Sequence, residues 1–107
     1  MLDFYAVERL EPWPDDIPAA SRLVGSMELR HFQSCAAVLQ TCLGRFGIEC
    51  SYFKDWIVPR EELGALLRCL RQSPGAAEAM ANPRTGLATL IAIIARAEGS
   101  TLLAVCD

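Results

Sequence analysis

Asn82-Pro83-Arg84-Thr85-Gly86-Leu87-Ala88-Thr89-Leu90-Ile91-Ala92-Ile93-Ile94-Ala95-Arg96-Ala97-Glu98-Gly99, followed by Ser100-Thr101-Leu102-Leu103-Ala104-Val105-Cys106, reads as a helix and then a strand. Asn82 is the predicted N-cap, Pro83 suits a first helical position that needs no donor, and Gly99 suits the left-handed residue that ends the helix. Leu87, Leu90, Ile91 and Ile94 form one stripe at helical spacing, and Ala88, Ala92, Ile93 and Ala95 keep the other sides small or apolar. Such a helix is covered on more than one side. The run after Gly99 is short, β-prone at Thr101 and Val105 and uncharged on both faces, as in a buried central strand.

Upstream of it, Pro59 opens a helix with Leu63, Leu66, Leu67 and Leu70 inward and Arg60, Glu61, Gly64, Arg68 and Arg71 outward. Ser73-Pro74-Gly75 breaks that helix, and Ala76 to Ala81 predicts a loose turn. Ile48-Glu49-Cys50-Ser51-Tyr52-Phe53 alternates enough to predict a strand, followed by a corner at Lys54-Asp55-Trp56. Further back, Ser26 is a predicted N-cap, Glu28 suits the first turn, and Leu29, Phe32, Cys35, Ala36, Leu39, Cys42, Leu43 and Phe46 recur every three or four residues. Gly44 and Gly47 end this amphipathic helix.

Ala19 to Gly25 predicts a short helical turn, and Leu2-Asp3-Phe4-Tyr5-Ala6-Val7 the first strand. Between them Pro12, Pro14 and Pro18 exclude a helix or central strand from Glu11 to Pro18, leaving a surface loop that carries Trp13. Helical crossovers favour parallel strand pairing. The expected fold is therefore α/β: one domain over residues 1–107, with a small three-stranded, mostly parallel sheet and three to four helices in the order β-α-α-β-α-α-β.

An apolar share of 52% over 107 residues is enough to fill one core. Thr85 to Ala95 is uncharged but far short of the roughly 20 residues that span a bilayer. Met1-Leu2-Asp3-Phe4-Tyr5 has no basic n-region, so a cytoplasmic protein is expected, with its five cysteines acting as small buried hydrophobes. Charge is uneven. From Met1 to Glu28 the six acids Asp3, Glu8, Glu11, Asp15, Asp16 and Glu28 face only Arg9 and Arg22, a local net of −4. The rest carries seven acids and eight bases, so the excess negative charge lies in the first quarter. That argues against direct nucleic-acid binding and suits a basic partner.

No complete reacting set is legible. His31 and Cys35 lie one helical turn apart, but two further ligands for a metal are missing and an acyl-transfer role lacks an oxyanion donor. Cys35 and Cys42 are about 10 Å apart along one helix and cannot bridge each other. Cys69 falls among leucines, while Cys50 and Cys106 sit in predicted strands. The adjacent acids Asp15-Asp16 and Glu61-Glu62 are ordinary for a loop and a first helical turn, and the glycines match no phosphate-binding pattern. The chain is expected to need no metal or cofactor and not to be an enzyme. Surface chemistry remains. Glu11, Trp13, Asp15 and Asp16 form one candidate partner-binding patch, Asp55 and Trp56 beside Tyr52 another. In such patches a large ring supplies buried area and the carboxylates steer a basic protein.

Ala95-Arg96-Ala97-Glu98-Gly99 leading into Thr101-Leu102-Leu103-Ala104-Val105, with the order of elements, resembles the barstar-like inhibitors of bacterial ribonucleases. No inhibitory residue is carried over from them. More broadly the chain looks like the immunity proteins of bacterial polymorphic and contact-dependent toxin systems. That resemblance implies a cytoplasmic protein that neutralises a cognate toxin, often a basic nuclease, by covering its active site. The alternative is a structural or regulatory subunit whose apolar C-terminal helix completes its burial in a homo-oligomer or larger complex.

Overall fold

The structure, a computed structural model, describes residues 1–8 and 21–106. Leu2–Val7 forms β1, Arg22–Met27 β2, Leu29–Leu43 α1, Trp56–Val58 β3, Arg60–Arg71 α2, Ala76–Ala81 α3, Gly86–Ala97 α4 and Thr101–Cys106 β4, with a 3-10 turn at Gly44–Phe46. The four strands make one sheet in the order β2-β1-β4-β3, and every pairing is antiparallel. The expected three-stranded, mostly parallel sheet is thus replaced by a four-stranded antiparallel one.

The reason is the number of passes between strands. One helix after a strand returns the chain for a parallel partner, whereas two passes deliver the next strand running the other way. Between β3 and β4 stand two long helices, α2 and α4, with the six-residue α3 between them. Between β2 and β3 the non-helical run after α1 makes the second pass. The expected element count was close to the observed one, but direction follows from how many elements span the sheet's length.

Alternation along the strands selects the core. Leu2, Phe4, Ala6, Met27, Trp56, Val58, Leu102 and Ala104 share one cluster with Phe32, Leu39, Leu63, Leu66, Leu90 and Ile94 of the helices. Every leucine of the expected α2 stripe (63, 66, 67 and 70) is buried. Each such side chain contributes roughly 1.5–3 kcal/mol of transfer free energy.

Three local readings change. Arg22–Met27 is a strand, with Val24 the extra residue of a bulge opposite the Phe4/Tyr5 step, where a helical turn was expected. Ser26 is inside β2 and donates its hydroxyl to Asp3 Oδ1 at 2.5 Å, and Glu28 takes the N-cap position without a side-chain bond. The expected strand at Ile48 to Phe53 does not form. Instead the Gln40 amide holds that run as a neighbouring strand would, donating to Ile48 O and accepting from Cys50 N, both at 2.9 Å. At α4 the cap is Thr85, whose hydroxyl accepts from Ala88 N at 3.2 Å, while Asn82 accepts from Arg84 N in the turn before it.

Gly86 sets that helix start. A Cβ there would run into His31 O and Ser34 Oγ of α1, so α4 approaches α1 backbone to backbone. Gly25 makes room for α4 against β2 in a different way, since a Cβ there would overlap the Ile93 side chain. Arg96 fastens the same pair of elements by donating to Val24 O at 3.0 Å. Gly99 has φ +91° and ends α4 as expected. Cys42 and Cys69, expected as packed thiols, form a disulfide that ties the last turn of α1 to α2, with Cα atoms 5.9 Å apart.

Candidate functional site

The run Ser51 to Asp55 between the Gln40 clamp and β3 is the candidate site. Ser51 organises it: its carbonyl accepts from Trp56 Nε1 at 2.8 Å and its hydroxyl from Phe53 N at 3.0 Å. Trp56 then turns inward, 3% exposed, with its ring edge-on to Phe4 at 5.8 Å. The indole is core in the folded chain, with its one polar atom already bonded, so it offers no surface to a partner.

Phe53 takes the exposed position instead. Its side chain is 70% exposed, and its ring meets Tyr52 at 5.2 Å and 79°. Tyr52 in turn rests on Phe32 of α1 at 5.9 Å. A free phenyl ring is thus carried on two aromatic supports rooted in the core. Beside it Asp55 is exposed but anchored, its Oδ1 accepting from Cys106 N of β4 at 2.8 Å. Among the described residues the second Asp55 oxygen has no hydrogen-bond partner, which leaves it for a cation or donor. Lys54 and Glu49 are exposed on the same stretch.

This corner can bury a ring in an apolar pocket while a carboxylate at fixed height accepts a bond from a basic group. Sequence reasoning placed Asp55 here but set Trp56 and Tyr52 beside it as the aromatic partners and did not single out Phe53. The legible signal was the polar frame Ser51 and Lys54-Asp55 around the two rings. The other expected patch, Glu11, Trp13, Asp15 and Asp16, lies outside the described residues.

The His31–Cys35 pair does not assemble a reactive centre. Cys35 is buried, its sulfur points back at His31 O and Phe32 O at 3.5 Å, and burial pushes its thiol up to about 11. Cys50 is pushed up as well, again by burial first. A thiol held protonated is a poor nucleophile. Among the described residues no three His, Cys, Asp or Glu side chains gather as a metal site, and no helix is long and apolar enough to cross a membrane.

Among the described residues, two clefts on the helical layer stand out. One, of about 440 Å³, runs between α1, α3 and the start of α4 and is lined by Arg30, His31 and Arg84. The other, of about 430 Å³, lies over the disulfide between α1 and the end of α2. No family model matches the chain, and neither a curated protein nor a solved structure matches it.

Proposed function

We propose that the chain is a binding module that neutralises a cognate, basic protein toxin in the cytoplasm, in the manner of an immunity protein. The observation that carries this reading is the Phe53 corner: an exposed ring on a rigid aromatic base beside an anchored Asp55. Exposing such a ring to water is unfavourable unless a partner covers it, and the fixed base keeps the entropy cost of docking low. The acidic first quarter, with its net of −4, adds long-range attraction for a basic surface. A nuclease active site, built to hold phosphates, has the complementary charge.

The oligomeric-subunit reading began from a C-terminal helix too apolar to be left uncovered. Within one chain α4 already buries Gly86, Leu87, Leu90, Ile93, Ile94 and Ala97, which removes that motive.

The test is co-expression and pull-down against basic toxin domains encoded by neighbouring genes, followed by binding kinetics on any pair that forms. Phe53→Ala is expected to weaken binding by roughly tenfold or more, through faster dissociation. Asp15→Lys with Asp16→Lys is expected to slow association more at low salt than at high. A complex that forms equally well with Phe53→Ala and Asp55→Lys would remove the corner from the interface.

A further inference from the structure

The disulfide cleft has a chemistry that the binding role leaves unused. Cys42 is buried in α1, whereas Cys69 on α2 is only half-buried, and both line the 430 Å³ cleft together with Thr41, Arg45, Gln72 and Ser73. A space of that size admits a molecule as large as a tripeptide. Arg45 lies three residues after Cys42, hence on the same side of the chain one turn on, and it is exposed at the cleft wall. Among the described residues Arg45 is the charged group of the lining, and the Thr41 hydroxyl is already bonded to Ala37 O.

We infer that Cys69 is a thiol-exchange site for a small carboxylate-bearing thiol, which Arg45 recruits by its carboxylate and which opens the Cys42–Cys69 bridge. The incoming thiolate attacks Cys69 Sγ, because that sulfur belongs to the more accessible residue. A new S–S bond joins the small molecule to Cys69 as the Cys42–Cys69 bond breaks. The electron pair leaves on Cys42 Sγ, which then takes a proton from solvent. A second equivalent of the thiol attacks the mixed disulfide, releasing the small molecule as its own disulfide and leaving both cysteines as thiols. Cys42 and Cys69 sit in the last turns of their helices, where the negative end of the dipole disfavours a thiolate.

The reaction is read on the oxidised full chain with reduced glutathione as the carboxylate-bearing thiol and 2-mercaptoethanol as the uncharged one. After trapping with iodoacetamide and peptide mapping, the expected product carries glutathione on Cys69 and the alkyl group on Cys42. Arg45→Glu is expected to slow the glutathione reaction by about threefold or more relative to the 2-mercaptoethanol reaction. Because that variant could perturb the fold, added salt on the unmutated chain supplies an independent reading. It should slow glutathione more than 2-mercaptoethanol. Glutathione on Cys42 in place of Cys69, equal sensitivity of the two thiols to charge and salt, or a bridge that opens only after unfolding in urea would each overturn the inference. So would an aerobically purified chain whose five cysteines are all free.

Discussion

Helix α1 is held at its two ends by opposite means. Near its start, α4 comes so close that Gly86 has no room for a Cβ between it and the His31 carbonyl. Near its end, the Cys42–Cys69 bridge replaces close packing with a covalent tie to α2, and a solvent-open cleft lies beside the bridge. The first contact depends on the absence of atoms and tolerates no addition. The second depends on a bond and is sensitive to chemistry rather than to volume. Tight packing transmits any change in shape, while a covalent tie leaves a neighbouring groove free for a ligand.

The largest loss of stability is expected at the covalent end. Closing a loop with a sequence separation of 27 constrains the unfolded chain by roughly 3–4 kcal/mol, so Cys42→Ala should lower stability by about that much in urea unfolding under oxidising conditions. Under strong reductant the variant and the unmutated chain should nearly converge. At the packed end Gly86→Ala should cost about 2–3 kcal/mol, because the added methyl meets backbone that cannot swing aside. Gly25→Ala should cost less, about 1–2 kcal/mol, since the obstacle there is a side chain, Cγ1 and Cδ1 of Ile93, rather than backbone. The same urea titrations order the three.

Between the two ends sits Cys35, and its effect appears only in alkali. Burial raises its pKa from 9.0 to about 11, so the unfolded chain loses that proton first as pH rises. The stability tied to the protonated thiol is complete below pH 9 and falls between pH 9 and 11. Cys35→Ala should flatten that decline in part, with Cys50, shifted in the same direction, supplying the remainder. The smallest effect is expected away from both ends: Phe53→Ala should change stability by less than about 0.5 kcal/mol while weakening partner binding. A large loss of stability there would make Phe53 a packing residue rather than an anchor.

Legibility followed the range of the interactions. The stripes of α1, α2 and α4, the break at Ser73-Pro74-Gly75, the left-handed Gly99 and the terminal strand are set by neighbours within a turn or two and were legible. Arg22–Met27 was not, because its strand state comes from pairing with β1 and from Gly25 accommodating Ile93, both remote in sequence. Ile48 to Phe53 misled for the converse reason: it alternates like a strand, but its backbone partner is one side chain, Gln40. At the candidate site Asp55 was legible from its polar corner. The exchange of roles between Trp56 and Phe53 was not, since it depends on the indole reaching Ser51 O and Phe4.

The chain by itself determined a single apolar core, three amphipathic helices, the closing strand and an acidic first quarter. These follow from local periodicity, composition and charge, which need no knowledge of what lies opposite. Only the tertiary structure decided that all four strands alternate in direction, that Cys42 meets Cys69, and that Phe53 rather than Trp56 faces solvent. Each depends on which distant segments share space, and the energy that selects among such arrangements is distributed over the whole packed interior rather than written at any one residue.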